Sequence, residues 1–420
     1  MKRRLRIAIL AHSTNPRGGV VHALELGDAL CRLGHDATVH APDAGGRGFF
    51  RSSLARTVCV AASPVGRGVA NMVETRVADY LRHFERAEHC GFDVWHAQDG
   101  ISANALATLK ERGAISSFAR TVHHVDDFAD PRLAALQSRA IESAERLFVV
   151  SRLWRDFLAG AYGREAVLVG NGVDCTRFSP VTDATDAALQ ERLSLAPLPW
   201  DRTRLARHPL PTLPRSRGRV GRGWRDARGP GVGAVFLAIG GVEQRKNTIG
   251  VLEAFRIIHG QYPSSRLIIA GGASLLDHVA YLTRFAAALK ASGLPDGAVI
   301  RTGPLAQALM PALYRTADAL VFPSIKEGFG LVVLEAMASG IPVVTSRIAP
   351  FTEYLGDGDV LWCDPLDAAS IAAAMVTALE APVRRDLISR GLEVATRHDW
   401  AATARAHLSA YEALGEAAYA

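Results

Sequence analysis

Glu327 and Glu335 lie eight residues apart in the stretch from Phe322 to Gly340. A strand should end near Phe322, a loop holding Gly328 and Gly330 should follow, and a helix should begin near Gly330. Glycine lets a ligand approach the backbone closely. A helix N-terminus presents free N–H groups and partial positive charge, which suits a diphosphate. Carboxylates flanking such a site are repelled by phosphate, so both glutamates should face neutral hydroxyls. A nucleotide sugar supplies these on both sides, on the transferred sugar and on the ribose. The same residues also fit an ordinary strand–loop–helix connection with two surface glutamates.

Three other stretches fit the same chemistry. Arg245 and Lys246 follow the strand candidate Val235–Ile239, where adjacent cations at a sheet's C-terminal edge can neutralise a leaving diphosphate. Arginine outnumbers lysine 43 to 5, so a lysine here is compositionally unusual. Gly18 and Gly19 form a glycine-rich turn before a helix, compatible with phosphate or a sugar face, but without the Gly-x-Gly-x-x-Gly spacing of a dinucleotide fingerprint. His96 and the pair His123–His124 stand at strand ends, the positions that line the ligand crevice of an open α/β sheet. Asp357 and Asp359 match a metal-binding Asp-x-Asp pattern on paper, but the stretch reads as a turn without partners, so no metal site is expected.

The elements that must position these residues alternate in type. Strand candidates at Leu5–Leu10, Ala37–His40, Val94–His96, Ala119–Val122, Leu147–Val150 and Val167–Val169 are separated in several places by helix-period stretches. The pattern restarts at Val235–Ile239 and continues through Arg266–Ala270, Ala298–Thr302, Ala319–Phe322 and Ile341–Thr345. Such alternation predicts parallel sheets covered by helices. A chain of 420 residues, 49% hydrophobic and 21% charged, is large enough for two such domains. The expected division is 1–180 for an amino-terminal Rossmann-like domain, 181–233 for a linker, 234–395 for a second Rossmann-like domain, and 396–420 for a final amphipathic helix.

Charge and cysteine usage narrow the setting. Nine arginines against two aspartates between Asp201 and Arg228 give that stretch +7, more than the whole chain's +6, and leave −1 for the rest. The basicity belongs to one insert, so no nucleic-acid-binding fold is expected. The insert, 197–233, is rich in Pro, Gly and Arg and reads as disordered, with weak contact to an anionic membrane surface as its sharper alternative. Five scattered cysteines argue for a reducing cytoplasm and against a disulfide framework. No apolar run reaches the length of a membrane span, and the basic start Met1–Arg4 before a short apolar run reads as leading into a buried strand rather than as a signal peptide. The expected location is cytoplasmic, peripheral at the inner membrane surface if the insert binds lipid.

Taken in order, the motifs resemble the retaining nucleotide-sugar glycosyltransferases of family 4, which have the GT-B fold. They are Gly18-Gly19 with His22, Gly34-His35, His96, Thr121 to His123, Val150-Ser151, Asn171 to Asp174, Arg245-Lys246, Gly271-Gly272, Glu327 to Glu335 and Asp357-Gly358. The resemblance implies two Rossmann-like domains facing across a cleft, with the last helix crossing back to the first. It implies that Glu335 binds the donor ribose, Glu327 holds hydroxyls of the transferred sugar, and Phe329, Gly330 and Leu331 present backbone to the donor. Arg245 and Lys246 would bind the diphosphate, with Gly18 and Gly19 closing over it, and His123 would lie beside the reacting carbon. His96 and Asn171 are candidates for the acceptor side or the cleft. Two departures bear on the diphosphate grip. Gly241 stands where the family often has arginine, and Asn247 replaces the usual glycine after the lysine.

The expected activity is transfer of a sugar from a nucleotide-diphosphate sugar to an acceptor hydroxyl with retention, using no cofactor and no metal. The acceptor, whether a sugar, a lipid-linked glycan or a small metabolite, is not encoded legibly. An epimerase or phosphorylase on the same fold would act without an acceptor or depend on inorganic phosphate, and a non-catalytic donor-binding protein would bind without turnover.

Overall fold

The computed structural model describes residues 3–195, 233–272 and 279–417. The Arg-rich insert lies outside these residues apart from Gly233. The chain divides into two compact units, one running to Gly172 and resuming at Asp399, the other spanning Val173–His398.

The first unit is built on seven parallel strands. They are β1 (Arg6–Leu10), β2 (Asp36–Pro42), β3 (Arg56–Val60), β4 (Val94–Ala97), β5 (Ala119–Val122), β6 (Arg146–Val149) and β7 (Ala166–Leu168). Their order is β3-β2-β1-β4-β5-β6-β7. Ile7, Ala8, Ile9 and Leu10 are all fully buried, the continuous apolar run of a strand covered on both faces. Edge strand β3 was not expected from sequence. Much of it is exposed, so it lacks the apolar run that marks central strands. Helix Gly100–Glu111 is started by Asp99, whose carboxylate accepts the Ser102 amide in a capping box. The closing helix Trp400–Ala417 packs on helix Gly18–Arg32 and on β4.

The second unit holds β8 (Val235–Ile239), β9 (Arg266–Ala270), β10 (Val299–Gly303), β11 (Ala319–Phe322), β12 (Val343–Ser346) and β13 (Leu361–Cys363), all parallel, in the order β10-β9-β8-β11-β12-β13. The strand order reverses at β8–β11, the switch point where open α/β sheets bind ligands. Arg245 and Lys246 follow β8, and Glu327 follows β11, so topology alone brings them to one place.

The linker expected over 181–233 is corrected for its first part. Helix Ala184–Arg192 is an ordered piece of the second unit. The guanidinium of Arg315, 2% exposed, donates to Asp186 at 2.7 and 2.8 Å and to Asp183 at 2.9 Å. Those two aspartates also form the helix's capping box. The anchor is ionic and spans 129 residues, so no local apolar period reveals it. The unit boundary at Gly172 also precedes the expected 180, because Phe178 is buried against the Tyr314 ring at 5.7 Å within the second unit.

Candidate functional site

Within the second unit the site is framed by glycines. Gly240 and Gly241, both with positive φ, end β8, and both amides donate to the Ala270 carbonyl at 2.9 Å. A Cβ on Gly241 would stand 2.5 Å from the Gly272 carbonyl oxygen. The departure from the family's arginine therefore has a physical reason: this backbone has no room for a side chain at 241.

The cations sit in the next turn. Lys246 Nζ pairs with the Glu327 carboxylate and lies 4.3 Å from the centroid of the Phe322 ring. Arg245 reaches Glu243 at 3.0 Å and Glu327 at 3.5 Å. The Ile325 amide donates to the Arg245 carbonyl at 2.8 Å, tying the cationic turn to the Glu327 loop. Asn247 adopts φ +55°, a left-handed conformation that asparagine tolerates better than most residues. Its side-chain amide donates to the Pro365 carbonyl at 2.5 Å. Asparagine thus holds a left-handed backbone conformation of the kind glycine adopts freely.

The electrostatics follow from these contacts. Burial opposes ionisation of Glu327, but Lys246 and Arg245 outweigh it and hold its pKa below the ordinary carboxylate range. Burial lowers the Lys246 pKa, and Glu327 offsets part of that. A buried carboxylate between two cations stays charged, and the cations stay concentrated at the loop.

Beyond Glu327 the chain reaches Gly330, with φ +92°. Helix Leu331–Ala338 then begins with no side-chain cap, so its first turn keeps the positive end of the dipole. Phe329 is fixed by stacking on Tyr354 at 4.7 Å, and the Tyr354 hydroxyl donates to its carbonyl at 3.2 Å. Glu335 accepts the Tyr314 hydroxyl at 2.5 Å. Sequence reasoning missed Tyr314, which has no motif around it, and Glu243. It also missed a cavity of about 510 Å³ lined by Gly241, Gly271, Gly272, Arg301, Gly303 and Pro304. Glycines at three consecutive strand ends were its only signal in the chain.

In the first unit, Gly18 and Gly19 open the helix after β1. A Cβ on Gly18 would meet nothing within 4 Å, whereas one on Gly19 would lie 3.4 Å from the His123 ring. His123 Nε2 is 3.0 Å from Gln98 Oε1, and its ring meets His22 edge-on at 4.9 Å. Burial, then the neighbouring His22, His124, Arg120 and His12, push the His123 pKa well below its ordinary value, so the ring is neutral. Two expectations are corrected here. His96 is fully buried, with Thr121 and Tyr411 hydroxyls at 2.8 and 2.6 Å from its two nitrogens. Asn171 is buried and engaged with His22 Nδ1 at 2.6 Å. Neither presents a side chain to an acceptor, because each serves as a packing and hydrogen-bonding support beneath the surface. His124 is exposed and pairs with Asp126 at 3.2 Å.

Asp357 and Asp359 lie in a turn, where Asp357 accepts the Trp362 indole N–H and Asp359 the Gly356 amide. Among the described residues, no group of three or more His, Cys, Asp or Glu side chains could hold a metal ion, and no helix is long and apolar enough to cross a membrane.

Two parallel-sheet α/β units of this topology define the GT-B fold. The chain superposes with a TM-score of 0.76 on sucrose-phosphate synthase from Thermosynechococcus elongatus, over 99% of this chain and 100% of that one at 21% identity. It superposes at 0.70 on Alr3699/HepE of Anabaena, solved with UDP-glucose, over 98% and 100% at 16% identity. The family model "Glycosyl transferases group 1" matches residues 228–405, and "Glycosyltransferase Family 4" matches 16–177. D-inositol 3-phosphate glycosyltransferase 2 of Catenulispora acidiphila is 35% identical over 349 residues, 76% of this chain and 70% of that protein. The chain belongs to the group 1, family 4-like glycosyltransferases. It spans less than half the length of the first curated relatives it matches, 45% and 44%.

Proposed function

We propose that this protein transfers a sugar from a nucleotide-diphosphate donor to an acceptor hydroxyl with retention of configuration. The observation that carries this reading is the Lys246–Glu327–Arg245 cluster beside the uncapped helix after Gly330. Arg245, Lys246 and the helix N-terminus would take the diphosphate, as preorganised positive charge at the leaving group. Glu327 would then exchange part of its ion pairing for hydroxyls of the sugar, and Glu335 would share its carboxylate between Tyr314 and the ribose. The glycine-lined cavity at the ends of β8, β9 and β10 is the proposed place of the nucleobase. His123 is the proposed group of the first unit that addresses the transferred sugar.

In the transfer, the bond from the anomeric carbon to the diphosphate oxygen breaks and the acceptor oxygen bonds to that carbon on the same face. The acceptor proton passes to the departing diphosphate. Arg245 and Lys246 supply the charge stabilisation in this scheme. The solved relative holding UDP-glucose supports a donor of this chemical class.

Binding tests the donor half of the reading. In a thermal-shift screen, at least one nucleotide-diphosphate sugar should raise the Tm more than the matching free sugar or nucleoside monophosphate does. No stabilisation by any diphosphate sugar would remove the basis for the assignment.

A further inference from the structure

The geometry points to Gln98 as a positioning residue that fixes His123 as the neutral Nε2–H tautomer, with His96 and Tyr411 of the closing helix holding Gln98 in place. All four residues belong to the first unit. The role assigned to His123 rests on the transfer reading above, but the tautomer does not.

Gln98 is 1% exposed, so its amide orientation is set by protein groups rather than water. Its Oε1 lies 3.0 Å from His123 Nε2. Its Nε2 lies 3.3 Å from His96 Nδ1 and 3.4 Å from His96 Nε2. Nearly equal distances to both nitrogens of one imidazole place the amide nitrogen over the ring face, since an in-plane approach would collide with ring carbons. An N–H over an aromatic face is favourable, and a carbonyl oxygen there is repelled by the π cloud. The Gln98 NH₂ therefore belongs over His96 and its oxygen belongs toward His123. An oxygen can only accept, so His123 must donate from Nε2. That leaves Nδ1 as the lone-pair nitrogen.

His96 is held so that its face stays under Gln98. Both its nitrogens are occupied, by Thr121 on β5 and Tyr411 on the closing helix. The buried Tyr411 hydroxyl stays protonated, and it and the Thr121 hydroxyl can each donate or accept, so both hold the ring whichever nitrogen of His96 carries the proton. The direction is fixed at Gln98, whose NH₂ faces the His96 ring and whose oxygen accepts from His123.

The test is a long-range ¹H–¹⁵N correlation spectrum of the full chain labelled with ¹⁵N-histidine at neutral pH, with His123 assigned by its loss in His123→Asn. The expected wild-type signature is a neutral ring protonated at Nε2. Gln98→Leu should give a mixture of tautomers and lower kcat by about 10²-fold, the cost of a misoriented group, while the donor KM stays close to wild type. A wild-type Nδ1–H tautomer or imidazolium overturns the inference, as does a Gln98→Leu spectrum identical to wild type. Tyr411→Phe should shift His123 part of the way toward the mixture, and an unchanged spectrum would remove the closing helix from the relay. If the wild type transfers no sugar, the spectrum still decides the tautomer, so the two readings fail separately.

Discussion

Lys246→Met should lower kcat by about 10²–10³-fold, the loss typical of removing one group that stabilises developing charge. The substitution keeps an unbranched side chain of similar length and deletes the ammonium together with its contact over the Phe322 ring. It also leaves the Glu327 carboxylate, 6% exposed, with Arg245 at 3.5 Å as its nearest cation. Removing one partner of a buried pair costs about 3–5 kcal/mol of stability, so the single variant should also melt at lower denaturant concentration. Glu327→Gln added to Lys246→Met removes the stranded charge. The double variant should recover most of the lost stability and none of the lost turnover. Urea denaturation and steady-state kinetics on the three proteins check this. If activity returned together with stability, the pair would be a structural ion pair and the diphosphate assignment would fall.

Gly330→Ala should raise the donor KM at least about tenfold, because two constraints meet at that residue. Its φ of +92° is strained for any residue with a Cβ, and the added methyl would stand 2.5 Å from Phe351 Cε1. Phe351 is fully buried and packs edge-on against Phe322 at 6.0 Å, so the ring has little space to retreat. The loop must move instead, and with it the backbone of Phe329 and Leu331 at the helix start. A displacement near 1 Å at such a site costs on the order of 10²-fold in rate. Gly160→Ala, in helix Arg152–Tyr162, is the natural control. Its Cβ would meet nothing within 4 Å, and it should bind donor with little change. Equal KM values for Gly330→Ala and wild type would show that the helix start does not hold the donor.

The contrast between these glycines shows what the chain discloses and what it hides. Central strands such as Leu5–Leu10 and Ala319–Phe322 were legible because burial on both faces demands an unbroken apolar run. The Glu327–Glu335 segment was legible because its glycines and carboxylates lie together in sequence. Helix Ala184–Arg192 was not, since a buried arginine at 315 anchors it. His96 was misassigned for a related reason. A histidine at a strand end reads the same whether it faces solvent or lies under a distant helix, and Tyr411, 315 residues away, decides which. Tyr314 beside Glu335 and the cavity near Arg301 are likewise made by tertiary contact. The local grammar therefore reveals candidate site residues that cluster along the chain, and it conceals the supports that reach them from elsewhere.

Turnover of the donor tests the central claim most directly. The full chain, incubated with the nucleotide-diphosphate sugar that stabilises it and with a pool of hydroxyl acceptors, can be followed by ³¹P NMR and by product mass. The expected result is nucleoside diphosphate released only when an acceptor is present, with an acceptor gaining the mass of one glycosyl residue. Donor that binds but stays intact across the pool, or diphosphate released equally without an acceptor, would contradict sugar transfer as the function of this site.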